Sequence, residues 1–88
     1  MRLHGDFVLR QIAEDIVVIP VGQTALQLNG MILLNDVSKV IWQCLEQDTN
    51  FDSILTAVTD AFEVSHQEAQ ADIQEFLDQL RKLQLLEE

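Results

Sequence analysis

This 88-residue chain has no tyrosine, one cysteine, one proline and three glycines, and few basic residues. Each shortage excludes something. Five Lys and Arg against fifteen Asp and Glu give a net charge of −10. Such a chain repels phosphate backbones, so nucleic acid is not expected among its partners. A lone cysteine, Cys44, cannot form an internal disulfide, which fits a reducing cytoplasm. The isolated Gly5, Gly22 and Gly30 build no phosphate-cradling loop. No apolar run approaches the ~18 residues of a membrane span, and Met1–Asp6 lacks the apolar core of a signal peptide. The expectation is a cytoplasmic domain that does not engage a membrane.

Catalytic groups are equally sparse. The two histidines, His4 and His66, lie far apart in sequence, so neither a metal set nor a histidine-based triad is visible. Cys44 falls on an apolar helix stripe with no base near it, where burial raises a thiol pKa. No enzyme activity, no metal and no cofactor is expected.

What the chain does hold is a globular complement of apolar residues, 48% of the total. At this length one domain is expected, burying about 60–65% of its unfolded surface. The charge is lopsided. Residues 1–34 carry Asp6, Glu14 and Asp15 against Arg2 and Arg10, whereas residues 35–88 carry twelve acids against Lys39, Arg81 and Lys82. The second half would steer basic partners toward itself.

The spacing of apolar residues changes near Asn29–Asp36. Before it, Phe7–Ile12 and Asp15–Pro20 read as a hairpin around Ala13-Glu14, stopped by Pro20. Thr24–Leu28 alternates, either as a further short strand or as an extension of the connection to the third strand. Asn29-Gly30 is a two-residue hairpin signal, with the apolar run Met31–Leu34 as a short buried return strand. Three amphipathic helices follow. Asn35 caps the first, whose stripe is Val37, Val40, Ile41, Cys44 and Leu45. Thr49-x-x-Asp52 opens the second, lined by Phe51, Ile54, Leu55, Val58 and Phe62. Ser65-x-x-Glu68 opens the third, lined by Ala69, Ile73, Phe76, Leu77, Leu80 and Leu83. Trp42 stands off the first stripe, to be read as a core ring or as an aromatic contact at the rim. The fold class is therefore α+β and winged-helix-like: an N-terminal three-stranded antiparallel sheet, then a three-helix bundle, in the order β-β-β-α-α-α.

Three binding roles compete. Asp52-Ser53-Ile54 is similar to the Asp-Ser-Leu of acyl carrier proteins, where a serine at a helix start carries a phosphopantetheine arm. Ser53 would then be the attachment site of an acyl-carrier-like acidic protein, but carriers are helical throughout and the first third here is strand. A helix-turn-helix over residues 51–83 would present Glu68, Asp72, Glu75 and Asp78 to phosphates, the wrong charge for reading DNA. The third role is peptide capture. An open sheet edge offers unpaired N–H and C=O groups to an added strand, and it equally permits a homodimer.

The string Gly30-Met31-Ile32-Leu33-Leu34-Asn35-Asp36, followed by Ile41-Trp42 and Leu45, resembles the PqqD-like family. These are the pyrroloquinoline quinone biosynthesis D proteins and related RiPP recognition elements. Phe7-Val8-Leu9-Arg10, Val17-Val18-Ile19-Pro20 and Phe76-Leu77-x-x-Leu80-x-x-Leu83-x-Leu85-Leu86 extend the likeness over nearly the whole chain, 1–88, as one peptide-binding domain. The resemblance implies a non-catalytic peptide chaperone. Such a domain binds the leader of a ribosomally synthesised precursor peptide as a strand added to the third strand, beside the third helix. It presents that peptide to a modifying enzyme, commonly a radical SAM protein that carries any cofactor itself. By the same resemblance, Met31, Ile32, Leu33 and Leu34 match the strand, and Asp72, Ile73, Glu75, Phe76, Gln79 and Leu80 match the helix wall. Val21–Asn29 is longer than the tight turn of the quinone-pathway proteins, and Gln84 stands where a helix-ending glycine often precedes the final leucines.

Overall fold

The structure, a computed structural model, describes all 88 residues. In chain order the elements are β1 (Arg2–Leu3), β2 (Phe7–Ile12), β3 (Asp15–Pro20), α1 (Thr24–Gln27), β4 (Ile32–Leu34), α2 (Asp36–Leu45), α3 (Phe51–Ala61), α4 (His66–Lys82) and β5 (Leu86–Glu87). They form two compact units: Gly5–Asp36, and Val37–Glu88 with Met1–His4.

The first unit is an antiparallel sheet in the order β2-β3-β4. β2 and β3 pair along their full length, from Phe7 opposite Pro20 to Ile12 opposite Asp15, as the hairpin spacing predicts. Their two-residue corner places Ala13 at φ 55. The tight hairpin turns need positive φ at that place, which costs a Cβ-bearing residue about 1–2 kcal/mol. Ala13→Gly is therefore expected to raise stability by about 0.5–1 kcal/mol, the relief exceeding glycine's extra entropy loss, as measured by thermal melting.

In the connection from β3 to β4, Thr24–Leu28 is not the separate strand that is one of its two readings. There Thr24–Gln27 form the short helix α1. Ala25 N–H donates to the Gly22 carbonyl at 3.2 Å, Leu26 N–H to Gln23 at 3.1 Å and Leu28 N–H to Thr24 at 3.0 Å. These local bonds satisfy the backbone without a ladder partner, and Ala25, Leu26 and Gln27 are good helix formers. Asp6 N–H donates to Thr24 Oγ1 at 2.8 Å and ties down the start of the turn. Asn29-Gly30 is not a hairpin turn either. Gly30 has φ 86 but Asn29 is not at positive φ, and a type I′ turn requires both.

Register sorts the side chains of the sheet into two faces. Ile16, Val18 and Pro20 share one face with Leu34, and all four are buried. Val17 and Ile19 share the other with Arg10, Val8 and Leu33. Val17 is also buried, so the middle of β3 is covered on both faces, as a central strand is.

The second unit holds the three long helices and the chain ends. α2 starts at Asp36, directly after Asn35, and buries Ser38, Ile41, Trp42 and Leu45. Trp42 is a core residue, which removes the alternative of a rim contact. α3 is capped one residue later than the Thr49 reading: Asn50 Oδ1 accepts from Ser53 N–H at 2.9 Å. Thr49 stands one residue too early, since the helix begins at Phe51 and Asn50 occupies the capping position. α4 is capped as expected, Ser65 Oγ accepting from Glu68 N–H at 3.1 Å. Its buried stripe is Ala69, Ile73, Phe76, Leu77 and Leu80, and it packs against α3.

The end of α4 explains the unusual Gln84. Gln84 N–H donates to the Arg81 carbonyl at 3.0 Å and Leu85 N–H to the Leu80 carbonyl at 2.9 Å. That nested pair is a Schellman motif, which places its next-to-cap residue in the left-handed region; Gln84 sits there at φ 61. Leu85 is buried beside the stripe, whereas Leu83, expected on the stripe, is exposed. The turn aims Leu86-Glu87 back along Arg2-Leu3, with which it pairs antiparallel. Gln84→Gly should stabilise the protein by about 1 kcal/mol in denaturant unfolding, because only glycine takes this conformation without a Cβ penalty.

Ion pairs reinforce the same junction. Arg2 Nε lies 3.0 Å from Glu87, and Arg81 reaches Glu88 and Asp78, each at 2.8 Å. Hydrogen bonds from Arg2 lower the pKa of Glu87, and those from Arg81 lower that of Glu88. Because these folded-state values are lowered, the stabilisation is present above the usual glutamate value of 4.5 and fades as pH falls through the lowered values. The double variant Glu87→Gln/Glu88→Gln should flatten the acid limb of the stability curve below that pH. High salt should have the same effect, since the pairs are exposed.

Candidate functional site

β4 is a strand of three residues paired on one side only. Leu34 faces Ile16, Leu33 faces Val17 and Ile32 faces Val18. Its other side ends the sheet. Expected as a wholly buried strand, Met31–Leu34 buries only Leu34. Ile32 is half-buried, while Leu33 is 68% and Met31 56% exposed. The difference has a simple cause. An apolar run on an edge strand lacks the lateral neighbour that would cover its outward-facing side chains.

The sheet has a second edge, β2, and the two are unlike. Arg10 stands mid-strand on β2, exposed, and such edge charges oppose pairing with another chain. β4 itself carries no charge, and from Ile16 to Asn35 the chain has no Asp, Glu, Lys or Arg at all. Within that stretch Leu33 on β4 and Met31 just before it are exposed. Uncovered apolar side chains at a sheet edge, on an otherwise acidic chain, make a candidate contact surface.

The α4 residues matched by the family likeness divide by exposure. Asp72, Glu75 and Gln79 are exposed. Ile73, Phe76 and Leu80 belong to the buried stripe. Their intervals of three and four along the helix account for both sets.

The remaining candidates are placed plainly. Ser53 is exposed in the first turn of α3, its N–H spent on the Asn50 cap. Cys44 is half-buried, and desolvation pushes its thiol pKa up. His4 Nδ1 lies 3.4 Å from Glu87, and His66 is exposed at the start of α4. No three His, Cys, Asp or Glu side chains gather where they could hold a metal ion. No helix is long and apolar enough to cross a membrane.

Residues 15–86 match the family model described as coenzyme PQQ synthesis protein D (PqqD). The chain belongs to the PqqD family. The matched span begins with β3 and includes β4 and α4, and it omits β2. Among solved structures, TbiB1 in complex with the TbiA(beta) leader peptide is similar at 23% identity. Its TM-score is 0.73, over 99% of this chain and 95% of that one. That likeness confirms the fold. No curated protein matches the chain.

The sequence places the short apolar strand but not its exposure pattern. The signal was available in the period of two. Within Met31–Leu34, alternate residues must face opposite sides of the sheet, so an edge position exposes one set. The charge-free stretch from Ile16 to Asn35 was a further signal.

Proposed function

We propose that this chain is a RiPP recognition element. It binds the leader segment of a ribosomally made precursor peptide by strand addition to the open edge of β4. The unpaired edge of β4 carries the reading, since its free N–H and C=O groups are what an extended peptide pairs with. Membership of the PqqD family supports it, and so does the likeness to a protein solved with a leader peptide bound. β4 is favoured over β2 because it lies within the family-matched span and carries no charge.

The chain itself does no chemistry in this reading. It holds the precursor for a modifying enzyme, of the radical SAM type in the commonest case, and any cofactor is that enzyme's. Exposed Asp72 and Glu75 on α4 attract basic leader residues, consistent with the net charge of −10. The partners share the cytoplasm with it.

The test is a titration of ¹⁵N-labelled protein with the leader of the precursor encoded beside it. Amide shifts should concentrate on residues 31–34, with a second, weaker set at 72–80. A leader that binds while leaving 31–34 unmoved would remove the strand-addition reading. Treatment with a phosphopantetheinyl transferase should leave the mass at Ser53 unchanged; a gain would restore the carrier reading.

A further inference from the structure

Strand pairing engages only the backbone of β4, yet Leu33 on β4 and Met31 just before it are bare apolar side chains. Arg10, Val17 and Leu33 stand in one row across β2, β3 and β4, on the face opposite Ile16 and Val18. Val17 has a neighbour on each side and is buried, whereas Leu33 has one neighbour and stays 68% exposed. Met31, two residues earlier, is 56% exposed. An added strand would extend the row by one place, bringing its own Cβ to within about 4.5–5.5 Å of that of Leu33.

We propose that β4 selects its peptide through this face as well as through its backbone. The bound strand sets an uncharged apolar side chain flush against Leu33, and a second one, two positions along, against Met31. An acidic side chain at either place is rejected. It would face an apolar surface on a chain that already carries −10. The occupant is thus an extended peptide, neutral or basic, apolar at alternate positions on one face. A second copy of the chain is a poorer occupant, because two molecules each at −10 repel. The inference rests on strand addition to β4, and its test separates the two.

The probe is a display library of randomised dodecapeptides selected on the protein, with the tightest binder resynthesised. Enriched peptides should carry apolar residues at two positions separated by one. Leu33→Thr keeps strand propensity at an exposed position, so the fold is retained, and it should weaken that binder about 5–20-fold. Leu33→Val should hold within about threefold, being apolar and β-branched. Aspartate at either apolar peptide position should weaken binding more than about tenfold. Leu26→Thr changes an exposed leucine of α1, outside the row, and should leave affinity within about twofold. A binder that shifts the β4 amides but ignores Leu33→Thr would overturn the outer-face selection and leave strand addition standing. Equal losses from Leu33→Thr and Leu26→Thr would also overturn it, as non-specific adhesion. Binders that leave the β4 amides unmoved, or self-association through β4 in place of peptide binding, would overturn both.

Discussion

Leu77→Ala lowers the unfolding free energy by about 3 kcal/mol, and by 2–5 kcal/mol at the bounds of comparable core truncations. Leu77 is fully buried on α4, between Ile73 and Leu80 on the stripe that packs against α3. Removing its three outer carbons forfeits their transfer energy and leaves a cavity that a close-packed interior only partly closes. A domain of this size has roughly 4–13 kcal/mol in all, so the loss is a large share. The melting midpoint should fall by about 12–24 °C. Trp42 supplies the readout, being the single tryptophan and fully buried, so unfolding shifts its emission to the red. Gln74→Ala, on the exposed side of the same helix, should stay within about 0.5 kcal/mol. A loss at Leu77 no larger than that at Gln74 would show that the α4 stripe does not hold the helices together.

Helix α4 was legible because two independent signals agreed. The Ser65-to-Glu68 cap fixed its start, and the three-and-four spacing from Ala69 to Leu80 fixed its buried face. The β2–β3 hairpin was legible for a similar reason, with Pro20 closing one strand and a two-residue corner joining both. Where a single weak signal stood alone, the reading drifted. Leu26-Gln27-Leu28 alternates over only three residues, and that pattern fits one turn of helix as well as a strand. Ala13 and Gln84 adopt conformations that glycine would signal, and without glycine their turns leave no mark in the sequence. The β1–β5 pair joins Arg2 to Glu87, a contact between chain ends that no local pattern encodes.

The site shows the same limit from the other side. Four apolar residues in succession at Met31–Leu34 describe a strand that prefers burial, and the pattern cannot tell whether neighbours exist to provide it. In the structure one lateral neighbour is missing, so Leu33 is uncovered and the strand's outer backbone is unpaired. That local conflict between composition and surroundings is what the proposed strand addition would resolve.

Hydrogen exchange should decide which sheet edge takes the peptide, and the effect should be large. In the free protein, amides of 31–34 directed away from β3 have no strand partner and should exchange with little protection. Those directed toward β3 are in the ladder and should be protected. Saturation with the leader at about 100 times its dissociation constant should slow the outward amides about 100-fold, because exchange then requires the peptide to leave. Inward amides of β4 should change far less, giving an alternating pattern along three residues that a general tightening of the fold would not produce. The outward amides of β2 serve as the control, since that edge is equally unpaired but carries Arg10. They should keep their free-state rates. Protection on β2 with β4 unchanged would move the binding edge to the other side of the sheet; uniform slowing of both would place the peptide elsewhere and leave stabilisation as its only effect on the strands.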